Sequence, residues 1–183
     1  MCLPSRGAAI DKIEYMFYRS ATAATDAAPL PAGCNVPRTS RVGGITRVQT
    51  HLSHLQFNVQ PGNVPFYKDL LAYLGWQTIH EGVGVLGVAG KNGDSLWFIG
   101  QVKDVSNDYD GPGLNHLAIG TATQADVDAA AAYLRERKVE LLFETPRHRP
   151  EFSQDEGQTY YQVMFETPDR LLLEVVYTGP KTS

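Results

Sequence analysis

Two stretches decide how this chain folds: LSHLQFNV at residues 52–59 and LNHLAIGT at residues 114–121, which align with His54 matched to His116. Each reads as an apolar strand that opens on a histidine and runs into a helical segment. The helical segments are VPFYKDLLAYLG from Val64 and QADVDAAAAYLRERK from Gln124, the latter with Val127, Ala131 and Leu134 on one stripe. Three strand-like stretches follow each helix: residues 76–80, 83–89 and 95–101 in the first copy, and residues 140–144, 160–166 and 170–177 in the second. Both copies therefore predict a βαβββ module, about 50–102 and about 112–178, joined by the turn-rich VSNDYDGPG. One such sheet leaves a concave face uncovered, so the expectation is an α+β domain over residues 49–179, its modules pairing into a half-barrel around a central pocket.

Residues 1–48 are rich in Ala, Pro, Ser, Thr and Gly and show no sustained periodicity, which predicts a flexible tail with at most a short helix near residues 10–18. Acidic Asp11, Glu14 and Asp26 argue against an organelle-targeting role for it. Cys2 and Cys34 both fall in this segment, too far from the domain to staple it, and read as reduced thiols. With 183 residues and a net charge of -4, the chain has room for one ordinary domain and lacks the basic stripe that phosphate backbones require. Nucleic acid and membrane are excluded as expected partners, and a small-molecule substrate in the cytoplasm is expected instead.

The SHLQFNV and NHLAIG openings, the PFYKDLLAYLGW helix end and the closing ETPDRLLLEVVY together resemble the vicinal oxygen chelate superfamily, the glyoxalase / bleomycin resistance / extradiol dioxygenase group. The resemblance covers roughly residues 50–179 and implies metal ligands at the first and last strands of each module, here His54, Ile99, His116 and Glu174. The count that leads from Asp169 to Glu174 leads from Asp94 to Ile99, so the first module lacks its carboxylate; Gln101 lies further along the same strand. What remains is His54, His116 and Glu174, two imidazoles and a carboxylate, a set that suits a divalent ion such as Fe, Mn, Zn or Ni with open positions for two substrate oxygens. The implied activity is that of a dioxygenase, lyase or isomerase, or thiol transferase. The rival is a metal-free drug- or ligand-binding protein of the bleomycin resistance type. Members of the group commonly form homodimers.

An acid inside LLLEVVY is the sharpest single signal, because a carboxylate buried without partners is costly; its bland alternative is an edge strand with Glu174 facing water. His148, in the TPRHRPEFSQDEGQ loop, is a candidate acid/base or simply a hydrated loop residue, and Arg147 and Arg149 beside it can meet a substrate anion. Tyr160 and Tyr161 open a strand, so one faces the pocket and the other the core; Tyr161 joins Glu174 and His148 as a catalytic candidate. The resemblance places a catalytic tyrosine of extradiol enzymes where Met164 stands, and Met cannot transfer a proton. Gly82, Gly84 and Gly87 spell GxGxxG, but no helix follows and a dinucleotide turn is rejected. His51 and His80 receive no role.

Overall fold

The computed structural model describes residues 50–100, 103, 105–153 and 155–181, together with two short strands before them. The chain divides into two units, Met1–Ser53 and His54–Ser183. In the first, β1 (Ser40–Val42) and β2 (Ile45–Arg47) pair antiparallel, with Val42 opposite Ile45. The composition of residues 1–48 leads to the expectation of a tail, and these two short strands lie within it. The helix expected near residues 10–18, both cysteines and Gln101 lie outside the described residues.

The second unit repeats one module. The first copy comprises β3 (His54–Asn58), α1 (Val64–Tyr73), β4 (Gln77–Gly82), β5 (Val85–Ala89) and β6 (Ser95–Ile99). The second comprises β7 (His116–Gly120), α2 (Gln124–Glu136), β8 (Leu141–His148), β9 (Gln158–Glu166) and β10 (Leu172–Pro180). The sheets have the orders β3-β6-β5-β4 and β7-β10-β9-β8, so in each the first strand lies beside the last. That one pairing is parallel, His54 opposite Ser95 and His116 opposite Leu172, and the others are antiparallel. The result is an α+β fold of two four-stranded mixed sheets and two helices, with no closed barrel.

The helices form where the apolar spacing demands. In α1 the buried residues are Tyr67, Leu70 and Leu71, and the chain leaves the helix through Gly75 at φ 84°, a left-handed conformation that a Cβ disfavours. In α2 the expected stripe is buried, with Val127 and Ala131 fully enclosed and Leu134 1% exposed. Thr123 starts that helix with a reciprocal capping box to Asp126. Each helix covers the face of its own sheet that carries every second residue: Tyr161, Val163, Phe165, Leu173, Val175 and Tyr177 pack with α2, and Phe57, Leu86, Val88, Leu96 and Phe98 with α1. The opposite faces are left to His54, Gln56 and Asn58 in one module and to His116, Glu174, Gln162 and Tyr160 in the other.

The modules are joined by packing and by one polar knot. Tyr73 and Tyr133 stack with ring centroids 3.8 Å apart. Fully buried Tyr67 donates from its hydroxyl to Asp169 Oδ2 at 2.7 Å and lies 3.0 Å from Thr167 Oγ1, while Asp169 Oδ1 accepts from the Gln60 amide at 2.7 Å. Burial, reinforced by Asp169, pushes the Tyr67 hydroxyl far above its ordinary range. The knot grips the turn from which β10, and with it Glu174, departs.

Candidate functional site

Glu174 is the third residue of β10 and is 1% exposed, so the edge-strand alternative is overturned: β7 and β9 flank β10 on both sides. A buried carboxylate needs partners, and the same face supplies them. Gln162 lies between Glu174 and Arg149, and the amide orientation that satisfies both neighbours has its nitrogen donating to Glu174 Oε1 at 2.6 Å and its oxygen accepting from Arg149 Nη1 at 3.1 Å. The Tyr160 hydroxyl belongs to the same cluster: burial first, then the Glu174 carboxylate, push it up to about 12. His116 brings Nε2 to 3.1 Å from Glu174 Oε2.

The tautomer of His116 follows from its other nitrogen. Asn115 donates from Nδ2 to the Tyr109 carbonyl at 2.9 Å, which aims its Oδ1 at His116 Nδ1, 2.8 Å away. An amide oxygen only accepts, so Nδ1 carries the hydrogen and the lone pair of neutral His116 lies at Nε2, facing the carboxylate. Two acceptors at 3.1 Å require a cation or proton between them. The spacing fits two neighbouring ligands of one divalent ion, which at bond lengths of about 2.1 Å and a right angle stand about 3.0 Å apart. An orienting hydrogen bond on the far nitrogen is the usual support of a metal-binding imidazole.

These groups open into a cavity of about 530 Å³ lined by the linker (Tyr109, Asp110) and the second module, including Phe143, Arg149, Phe152 and Met164. Among the described residues, none from the first module lines this cavity. A separate cavity of about 460 Å³ lies on the seam between β3 and β7, lined by Gln56, Asn58, Leu114 and Leu171 among others.

One wall is shaped by a large bulge. Leu142 pairs with Met164 and Arg147 with Gln162, so Phe143, Glu144, Thr145 and Pro146 on β8 oppose Val163 alone on β9. The gap in the ladder is filled by a side chain: buried Thr145 accepts the Met164 N–H on Oγ1 at 2.9 Å and donates to the Leu142 carbonyl at 2.8 Å. Phe143 and Glu144 take left-handed backbones, at φ 55° and 56°.

The expected site residues are brought together only in part. His116 and Glu174 meet. His54 is exposed on β3 and does not line the cavity, and among the described residues no three His, Cys, Asp or Glu side chains converge as a metal site. Tyr160, not Tyr161, faces the cavity; Tyr161 is on the helix side, donating to Asp128 Oδ1 at 2.7 Å, and burial with that carboxylate pushes its hydroxyl up to about 12. His148 shares the Tyr161 side of the sheet, its Nδ1 2.6 Å from Thr159 Oγ1 and its ring 4.6 Å from that of Tyr161. Strand alternation separates both from the carboxylate. Arg149, expected to meet a substrate anion, lines the cavity; Asn115 and Gln162 have no individual signal beyond position, Asn115 preceding His116 and Gln162 sharing a face with Tyr160 and Met164.

No protein-family model matches the chain, and no curated protein matches it in a sequence search. Solved structures do. A candidate glyoxalase from Bacillus halodurans superposes with TM-score 0.59 at 27% identity, over 70% of this chain and 96% of that one. The chain has the glyoxalase / bleomycin resistance / dioxygenase fold, consistent with the vicinal oxygen chelate superfamily. A glyoxalase/dioxygenase from Nostoc punctiforme (TM-score 0.55, 19% identity, 72% and 92% of the two chains) and a domain described as glyoxylase/bleomycin resistance protein/dioxygenase from Frankia (0.51, 17%, 74% and 96%) share the glyoxalase fold.

Within that fold the two modules can be aligned residue by residue. Gly93 (φ 84°) and Arg170 (φ 58°) are the left-handed residues of equivalent turns, closed by Gly90 N to Asp94 O and by Thr167 N to Leu171 O. With Ser95 beside His54 and Leu172 beside His116, the first-module equivalent of Glu174 is Trp97, not Ile99. The carboxylate is still absent there, but an indole fills the position: Trp97 is 8% exposed and lies against Gly87, where a Cβ would come within 2.8 Å of the ring. That explains one glycine of the GxGxxG string; another, Gly84, makes the β4–β5 turn at φ 69°.

Proposed function

We propose that this chain is a divalent-metal-dependent enzyme acting on a small oxygenated molecule, with His116 and Glu174 as ligands in the second module and His54 completing the set. The observation that carries the reading is the approach of His116 Nε2 to Glu174 Oε2, 3.1 Å apart, with Asn115 Oδ1 on the far imidazole nitrogen. When bound, the ion supplies a positive charge that stabilises an oxyanion on two neighbouring substrate oxygens. The chain's own groups do the rest. Gln162 holds the carboxylate from the side away from the imidazole, Tyr160 offers a hydroxyl that stays protonated near neutral pH, and Arg149 supplies a fixed cation at the wall. A dioxygenase- or lyase-like reaction is the preferred form.

Since His54 does not line the cavity, we propose that a second copy of the chain supplies it, the exposed β3 face of one subunit closing the open side of the other's second module. The competing reading, a metal-free binding module, is favoured by the lack of a three-donor cluster among the described residues. Metal content by mass spectrometry on untagged protein decides between them. Near-stoichiometric metal, lost in Glu174→Ala and reduced in His54→Ala, is the expected result. Folded protein that stays metal-free when divalent ions are supplied would leave the binding module.

A further inference from the structure

The cavity beside Glu174 is built for more than a pair of oxygens, and we infer that it admits a flat apolar molecule carrying a carboxylate: the apolar body held by Phe143 and Phe152, the anion by Arg149. This deepens the proposed function and rests on that cavity being the substrate site.

Phe143 is the first observation. It is 53% exposed, so the core gains little from it, and its φ of 55° is a conformation that a bulky side chain adopts only under constraint. The constraint is the β8 bulge, pinned by Thr145 to both Leu142 and Met164. Backbone strain and a lost stretch of ladder are thus retained to set one exposed aromatic ring at the cavity wall. Phe152 is the second. It ends a single 3₁₀ turn, is 55% exposed, and meets Tyr160 edge to face with centroids 5.5 Å apart. Two exposed phenylalanines on separate segments of one cavity form apolar walls for a flat ligand.

Arg149 supplies the charge. Among the described residues lining the cavity it alone is Lys or Arg, against the acids Asp110 and Glu174. Its side chain is 22% exposed and firmly placed: Nε bonds to Glu151, Nη1 to Gln162, and the guanidinium lies 4.7 Å from the Phe152 ring centroid. Among the described residues, the hydrogen bonds of the guanidinium run from Nε and Nη1, which leaves Nη2 for a ligand. A carboxylate there receives a charge-assisted hydrogen bond from a donor already held still, which is what raises affinity most. Because Gln162 bridges Arg149 to Glu174, the anion and the proposed chelating oxygens fall within one small molecule.

The test is a chemical-shift titration of the full chain with benzoate, with benzamide as its neutral isostere and with acetate as the anion without a ring, beside a separate measurement of metal content. Benzoate is expected to bind about tenfold more tightly than either. Arg149→Gln should bring benzoate down to benzamide. Phe143→Asn, a residue at ease in the left-handed region, should weaken benzoate and benzamide several-fold each without lowering the thermal midpoint, whereas a purely structural Phe143 would cost stability. Benzoate no tighter than benzamide, or unaffected by Arg149→Gln in folded protein, overturns the inference whatever the metal content. Charge discrimination that persists in protein unable to bind metal supports it while removing the metalloenzyme reading.

Discussion

Replacing Asn115 with Leu tests the chain of reasoning at the site more sharply than removing a ligand does. Leu has nearly the shape of Asn but neither its donor nor its acceptor, so the 2.8 Å bond to His116 Nδ1 and the 2.9 Å bond to the Tyr109 carbonyl both vanish. The imidazole then loses the partner that holds its hydrogen on Nδ1, and the Nε2 lone pair facing Glu174 is no longer fixed. Loss of such an orienting partner weakens metal binding by about 10–100-fold. Asn115 is exposed, so water takes over part of its role and the lower end applies: about tenfold, or about 1.4 kcal/mol. The assay is competition for Mn(II) or Zn(II) against a chromophoric chelator, run on wild type, Asn115→Leu and Glu174→Ala. Urea unfolding of the metal-free proteins provides the control, since an exposed side chain should change apo stability by less than about 0.5 kcal/mol. Glu174→Ala without measurable metal and Asn115→Leu within twofold of wild type would refute the tautomer argument while leaving the ligand assignment intact.

Three further substitutions probe the frame around the site. Tyr67→Phe removes a partly buried charge-assisted hydrogen bond to Asp169 and should cost about 1.5–3 kcal/mol in urea unfolding; an effect below about 0.5 kcal/mol would show that the knot between the modules carries no stability. Thr145→Val keeps the shape of the side chain but leaves the Met164 N–H without its acceptor, a loss of about 1–3 kcal/mol by the same measurement. Gly87→Ala drives a methyl to within 2.8 Å of the Trp97 ring, so overpacking should lower stability by about 1–3 kcal/mol and change the tryptophan fluorescence, where an unchanged spectrum would mean that the indole does not rest on that glycine.

The repeat was legible because it rests on the two periodicities that sequence displays directly. Helical stripes such as Val127–Ala131–Leu134 and alternating strands such as β9 place their residues by arithmetic, and matching histidines fix the register between copies. Glu174 was legible for the same reason: its strand neighbours are apolar, so only partners out of view could justify it, and His116 and Gln162 are those partners. What failed depended on events that periodicity cannot carry. Tyr160 and Tyr161 alternate, but which of them meets the cavity is settled by which face α2 covers, and Tyr161 goes to Asp128 on that helix. The bulge that sets Phe143 on the cavity wall comes from left-handed residues that no propensity favours, held by a threonine three-dimensionally opposite Met164.

The misplacement of the first-module position from Trp97 to Ile99 has the most to say about the site. Counting from an aspartate treats Asp94 and Asp169 as equivalents, yet a turn is anchored by its left-handed residue, and Gly93 matches Arg170. Measured from that anchor, Asp94 matches Leu171 and the carboxylate position falls on Trp97, whose indole lies against Gly87. An indole there cannot ligate a metal, and it occupies the volume on which a carboxylate network would have to be built. The two modules therefore share a backbone and differ in what their open faces can do: in one, polar groups converge on Glu174 beside a cavity; in the other, an aromatic ring seals the equivalent place. His54 remains as the only ligand type at the first module's end of the matched set, which is why the proposed metal site must draw it to the second module's cavity, and why a His54→Ala variant that binds metal as tightly as wild type would confine the site to His116 and Glu174.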